Sequence, residues 1–266
     1  MRNKLTKELA VCGFNAVSAL GELHPKTINR FFLRDDRLSV FAPLCKHLAQ
    51  RKRPYKICDN EELERICKST HHQGVVAMIE EPQIPAANRE DLDSWAREGK
   101  TGLVLHDLGN DHNLGAIVRS AAFFDAHGIV LSGTAPEALV STSAYRVAEG
   151  GMEHVVFRCV YDTMGFLKAA SRVLITIGAD IRARQRIQDL PAIIRDRMHL
   201  LQASRTNPTG VLRPGIALVV GNEETGLPQE VKDLCSVLVR IPGTGVLESL
   251  NVAQAATLFL HTLYQG

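Results

Sequence analysis

No Cys-x-x-Cys pair occurs among the six cysteines of this 266-residue chain, Cys12, Cys45, Cys58, Cys67, Cys159 and Cys235. That scatter excludes the usual zinc-ligand spacing and a dense disulfide framework, so the cysteines read as reduced packing residues. No uncharged apolar run reaches the roughly 18 residues a membrane span needs, and the first residues, MRNKLTKELAVCGFNAV, hold no apolar targeting core. A cytoplasmic protein with no membrane role is expected. The chain lacks a P-loop, a G-x-S-x-G elbow and an H-E-x-x-H helix, and no G-x-G-x-x-G follows the first strand of its second half. Those absences remove support for nucleotide-triphosphate, serine-hydrolase, metalloprotease and dinucleotide chemistry. The neighbours His71 and His72 would point to opposite faces of an extended segment, so no metal is expected there. Internal repeats and low-complexity tracts are missing too.

What is present is ordinary in bulk and uneven in detail. Apolar residues make up 45% and charged residues 23%, the profile of a globular protein of one or two domains. The net charge of +2 hides a basic front: residues 1 to 80 carry fourteen Lys and Arg against nine Asp and Glu. Residues 181 to 213 carry seven arginines against two aspartates. Two basic surfaces of this kind suit a polyanion, although solvated helix faces have the same composition.

Periodicity divides the chain. Residues 9 to 80 alternate helical and strand-like pieces: GFNAVSALGEL helical, INRFFLR extended, VFAPLCKHLAQRKR helical, YKICD extended, NEELERICKS helical from an Asn60 cap, and GVVAMIE extended. That is a small mixed α/β unit over residues 1–80. Residues 81–101 contain two prolines and many charges and read as a linker with at most one short helix. From 102 to 266 strands alternate with helices, which implies a parallel sheet covered on both faces.

In such a sheet ligands bind beyond the C-terminal strand ends, and three stretches stand there. In HDLGNDHNLGAIVRS, Asn113 reads as a helix N-cap, with Leu114, Ile117, Val118 and Ala121 as a buried stripe and Arg119 one position off it. Its planar fork of donors suits a phosphate, and equally a surface carboxylate. In ALVVGNEETGLPQE a buried strand stops at Gly221, then Asn222 and Glu223 follow. Glycine admits close approach of a ligand, and neighbouring amides can hold the carboxylate. In RIPGTGVLESLNVAQAA, Ile241 and Pro242 end a strand, Gly243 and Gly245 permit a tight wrap, and Ser249, Leu250 and Asn251 start a helix rich in alanine. Such a wrapped wall suits a flat heterocycle read by main-chain groups.

Together, N-x-G-x-x-x-R (113 to 119), G-N-E-x-x-G-L (221 to 227) and I-P with S-L-N-V-A (241 to 253) resemble the three motifs of the SpoU, or TrmH, family of RNA ribose methyltransferases within the SPOUT superfamily. The front, with VCGFNAVSAL and HHQGVVAMI, looks like that family's small substrate-binding domain. The resemblance implies an α/β fold whose C-terminal parallel-sheet domain holds a deep trefoil knot, an exception to the rule against knots. It implies a mixed α/β RNA-binding domain over 1–80, a linker over 81–101 and a methyltransferase domain over 102–266. It also implies S-adenosylmethionine as cofactor, no metal, rRNA or tRNA as partner, and a homodimer formed through the knotted regions. Motif by motif, it assigns catalysis to Arg119, Asn113, Glu223, Ser249 and Asn251. Cofactor binding falls to Gly221, Asn222, Ile241, Gly245, Leu250, Asn251 and Ala253. Two rival readings are an RNA-binding or ribosome-assembly protein on the same fold, and an enzyme that methylates a base. Arg51, Lys52 and Arg53 are the densest cationic run of the front, and Arg182, Arg184 and Arg186 form a candidate second RNA contact.

Overall fold

The computed structural model describes residues 2–3, 8–134, 139–203 and 214–265. Compactness separates the chain into two units, and the division does not follow chain order. Unit 1 takes Met1–Gln83, Asp111–Arg119 and Ala138–His154; unit 2 takes Ile84–Asn110, Ser120–Glu137 and Val155–Gly266.

Unit 1 is built on a five-stranded mixed sheet in the order β1-β2-β5-β3-β4. Its strands are β1 (Arg2–Asn3), β2 (Glu8–Cys12), β3 (Ile28–Leu33), β4 (Tyr55–Ile57) and β5 (Val75–Glu80). The central pair β2 and β5 is antiparallel and buried along nearly its whole length; VVAMIE reads as a strand from the sequence, whereas ELAVC does not stand out there. Helices α1 (Phe14–Leu23), α2 (Leu38–Gln50) and α3 (Asn60–Cys67) accompany it. Phe41 of α2 meets Phe14 and Phe31 at ring distances of 5.5 and 5.4 Å, while Leu63 and Cys67 of α3 join Ala10, Cys12, Val76 and Met78 in a second cluster. The cap of α3 is Asp59, whose side chain accepts the Glu62 amide at 2.8 Å, and Asn60 is the first helical residue. Either residue type caps well, so composition alone misplaced the boundary by one position. Helix α6 (Thr142–Ala148) and the first nine residues of α5 (Asp111–Phe123) complete the unit.

Unit 2 is a seven-stranded, wholly parallel sheet in the order β10-β12-β9-β11-β6-β7-β8. The strands are β6 (Thr101–His106), β7 (Ile129–Ser132), β8 (Phe157–Val160), β9 (Ile175–Ala179), β10 (Gln185–Arg186), β11 (Ile216–Val220) and β12 (Val237–Arg240). Helices α4 (Arg89–Glu98), α7 (Thr163–Ala170), α8 (Leu190–Ala203), α9 (Gln229–Lys232) and α10 (Val252–Gln265) belong here as well. All five residues of β11, IALVV, are buried, which fits a strand covered on both faces.

The segment expected to be a linker contributes to this core. Asn88 opens α4 with a reciprocal capping box to Asp91, and Leu92, Trp95 and Ala96 on one face of the helix join the central cluster with Val104, Leu174 and Ala217. The charges that suggested a linker occupy the other face of one amphipathic helix. The arginine-rich stretch likewise contains β10 and α8; residues 204–213 of it lie outside the described part. All six cysteines are free thiols, five of them buried and Cys235 half-buried.

Candidate active site

The loops at the C-terminal ends of β6 and β11 interlock within unit 2. Asn222 donates its Nδ2 to the Asp107 carbonyl at 2.9 Å, while its Oδ1 accepts the Glu224 and Thr225 amides at 2.9 and 3.1 Å. The Asn222 side chain is thus committed to the loop's own architecture, and any contact it makes with a ligand falls to its main chain. Glu223 Oε2 accepts the Gly109 amide at 2.9 Å, so the carboxylate is held by a backbone amide, supplied by the neighbouring loop. Asp107 adopts a positive φ of 53° to make this turn, a conformation of the kind that collects at functional sites. Gly221 has a steric cause: a Cβ there would stand 2.4 Å from the Gly226 carbonyl atoms. No side chain fits that approach, so the strand must end in glycine.

Residues 241–251 lie outside any helix or strand and run exposed into α10. Gly245 takes a positive φ of 86°, as a tight wrap requires, whereas Gly243 does not, and neither has neighbours that a Cβ would meet. Ser249 and Leu250 precede the helix and do not begin it. Asn251 is the cap: its Oδ1 accepts the Ala253 amide at 2.8 Å and its carbonyl the Ala255 amide. Ala253 and Ala256 are buried beneath it, and Ile241 is half-buried at the end of β12. The loop presents Val246, Leu247 and Leu250 as exposed apolar side chains beside main chain free of regular structure. That combination fits an adenine-bearing cofactor, whose flat apolar ring needs cover and whose edge needs backbone donors and acceptors.

In unit 1, α5 begins at Asp111, so Asn113 sits inside the first turn and not at the cap. Leu114, Ile117, Val118 and Ala121 are fully buried, and Arg119 stands exposed beside them. The Arg119 guanidinium pairs with Glu149, Nη2 to Oε2 at 3.2 Å. Arg119 thus has a carboxylate partner and is at the same time the candidate catalytic residue. The division between the two units falls just after it, between Arg119 and Ser120.

One polar group at a strand end is not singled out by the sequence. His106 ends β6, with its Nδ1 3.2 Å from Ser132 Oγ and 3.3 Å from Thr163 Oγ1, and burial holds its pKa below the usual 6.5. A histidine ending an apolar strand was the available signal. The pair at 71 and 72 divides as the alternation requires: His71 is exposed, and His72 is buried and accepts the Gly74 amide at 3.0 Å. Arg182, Arg184 and Arg186 are all exposed, the last on edge strand β10. Among the described residues no cluster suited to a metal occurs, and no helix is long and apolar enough to cross a membrane.

Comparison with known proteins bears directly on these loops. Residues 100–261 match the SpoU rRNA Methylase family, and residues 10–85 match the family described as RNA 2'-O ribose methyltransferase substrate binding. The chain is 30% identical over 94% of its length to the 23S rRNA (guanosine-2'-O-)-methyltransferase RlmB of Bordetella pertussis, of which it covers 94%. It is 27% identical over 98% of its length to the uncharacterized tRNA/rRNA methyltransferase YfiF of Escherichia coli O157:H7, of which it covers 69%. An AdoMet-bound rRNA methyltransferase from Sinorhizobium meliloti superimposes with a TM-score of 0.70 at 20% identity, covering 98% of this chain and 88% of that one. Fold and loops together define the knotted α/β class of RNA methyltransferases. The chain belongs to the SpoU rRNA methylase family.

Proposed function

We propose that this chain, an S-adenosylmethionine-dependent RNA 2'-O-ribose methyltransferase, works through Arg119, with its cofactor bound by the loops that follow β11 and β12. The observation that carries this reading is the exposed Arg119 at the seventh position of N-x-G-x-x-x-R, on a helix whose other face is fully buried. Packing does not need a cation at that position; chemistry on a phosphodiester backbone does.

When bound, S-adenosylmethionine supplies an electrophilic methyl group. The chain's own task is to present a ribose 2'-hydroxyl, a weak acid, and to stabilise the negative charge that grows on its oxygen. A guanidinium stays protonated at neutral pH, so Arg119 acts as a fixed cation toward the hydroxyl and its adjacent phosphate. The proton then requires another acceptor, water or a carboxylate; Glu223 is the carboxylate in the family motif and is already oriented by the Gly109 amide. Asn113, Ser249 and Asn251 are the remaining polar groups that the motifs assign to catalysis. Main chain at Gly221, Asn222, Ile241, Gly245 and Leu250, with Asn251 and Ala253 at the start of α10, forms the cofactor wall. Residues 1–80 are the RNA-binding part and residues 102–266 the catalytic part. The enzyme is a cytoplasmic homodimer. Support for the dimer comes from aromatic rings at the C-terminal ends of α5 and α10: Phe124 lies against Phe123, His261 and Tyr264, and Phe123 is 80% exposed.

The decisive experiment is nucleoside mass spectrometry of rRNA and tRNA from cells lacking the gene, complemented with wild type or Arg119→Ala. A 2'-O-methyl nucleoside that returns only with wild type is expected, with cofactor affinity of the variant within roughly two-fold of wild type. A methylated base in its place would move the reaction to the nucleobase. Unchanged methylation throughout would leave an RNA-binding role.

A further inference from the structure

The four-residue spacing of Gly115 and Arg119 puts both on one side of α5. At Gly115 that side meets α6: a Cβ there would stand 2.7 Å from the Ala144 carbonyl oxygen and 2.7 Å from the Val147 Cβ. Only glycine lets the two helices approach so closely. One turn farther along α5, α6 has ended, and the residue just past its end faces Arg119. That residue is Glu149. Its Oε2 lies 3.2 Å from Arg119 Nη2 and accepts from Asn15 Nδ2 of α1 at 3.3 Å.

The backbone is shaped to hold it there. Glu149 and Gly150 both have positive φ, 46° and 95°, and a glutamate in that region is uncommon and strained. The Glu149 amide donates back to the Arg146 carbonyl, and Gly150 lies so near α1 that a Cβ would stand 3.1 Å from the Asn15 carbonyl oxygen. Two left-handed residues in succession thus deliver one carboxylate to two partners from separate helices.

We propose that Glu149 is the positioning residue for Arg119, and that Asn15 fixes Glu149 in turn. This rests on the catalytic reading of Arg119. The ion pair is 59% exposed on the arginine side and 41% on the glutamate side, so it adds little to stability. Its effect is orientation: one edge of the guanidinium is held, and the other donors of its five are left to meet the substrate. Asn15 lies in the stretch matched by the substrate-binding family, so RNA bound by that part is linked to the catalytic cation through two side-chain contacts.

The test compares wild type with Glu149→Ala, Glu149→Gln and Asn15→Ala, using tritiated S-adenosylmethionine and total RNA from cells lacking the gene. Glu149→Ala is expected to lower kcat roughly ten-fold or more, with KM for RNA and cofactor affinity within about two-fold. Glu149→Gln, which keeps the shape and one acceptor oxygen, should recover part of the loss, and Asn15→Ala should show a smaller loss of the same kind. A second readout needs no turnover: the Arg119 side-chain Nε–H resonance, assigned by its absence in Arg119→Ala, should shift in Glu149→Ala while thermal unfolding and the remaining arginine signals stay unchanged. An unaltered kcat, or a raised KM with kcat retained, would overturn the proposal. Should wild type methylate no RNA at all, the functional reading falls, and the arginine resonance alone decides whether Glu149 holds Arg119.

Discussion

At the scale of single residues, two histidines share one electrostatic cause, His72 being buried and His106 half-buried. His72 and His106 both have pKa values held below the usual 6.5, in each case chiefly by burial. Glu64 opposes this at His72 and Arg34 adds to it, while Asp107 opposes it at His106. The native state therefore takes up fewer protons than the unfolded chain as pH falls below 6.5. The stability from keeping both rings neutral is complete above that pH and is lost as pH falls through the lowered native values. Protonation of the His72 Nδ1 would in addition break the hydrogen bond it accepts from the Gly74 amide. Urea unfolding followed from about pH 8 to about pH 5.5 should show stability falling with pH, and the slope should flatten in a His72→Asn, His106→Asn double variant. Equal slopes would show that neither histidine carries the effect. Little of this was legible from composition. The alternation rule placed His71 and His72 on opposite faces, but which one faced the core depended on how the segment before β5 packs. Asn222 illustrates the same limit: it stands in the motif as a ligand residue, and its side chain serves the turn.

At the scale of elements, most strands and helices follow their local pattern; the departures are helix boundaries, charged segments and the buried strand β2, which the periodicity did not single out. Asn113 and Asn60 each moved from cap to helix interior, because several residues near a helix start can cap and the chain's approach selects one. Residues 81–101 were read as a linker because charge outweighs apolar content there. Three apolar positions, Leu92, Trp95 and Ala96, sufficed to seat α4 in a core. Asn251 shows one element serving two ends, helix cap and candidate ligand contact. Asn251→Ala should cost about 1 kcal/mol of stability through the lost cap. Asn251→Asp, which also caps, should restore stability but not cofactor affinity if the amide itself meets the cofactor. Calorimetric titration with S-adenosylmethionine beside thermal unfolding of both variants separates the two roles. Full affinity in Asn251→Asp would remove Asn251 from the cofactor site and leave it as a cap.

At the scale of the whole molecule, the exposed Phe123 and Tyr264, on helices α5 and α10, are the surface on which self-association is expected to rest. Replacing both by glutamate should convert a dimer to a monomer in light scattering, with the fold retained because neither ring is in the core. A wild-type monomer, or a double variant that still dimerises, would refute the assignment. The amino-acid sequence by itself determined most of the helices and strands, though not β1, β2, β10 or α8, together with the parallel character of the second sheet and the three motifs that define the family. These depend on side-chain periodicity and on residue types needed by a particular chemistry, both of which are written locally. Tertiary structure alone decided that α4 belongs to the core of unit 2, that Gly221 is required by Gly226, and that Glu149 joins Arg119 to Asn15. Those pairings span up to 134 residues and arise from the closeness of packed backbones, which no local pattern encodes.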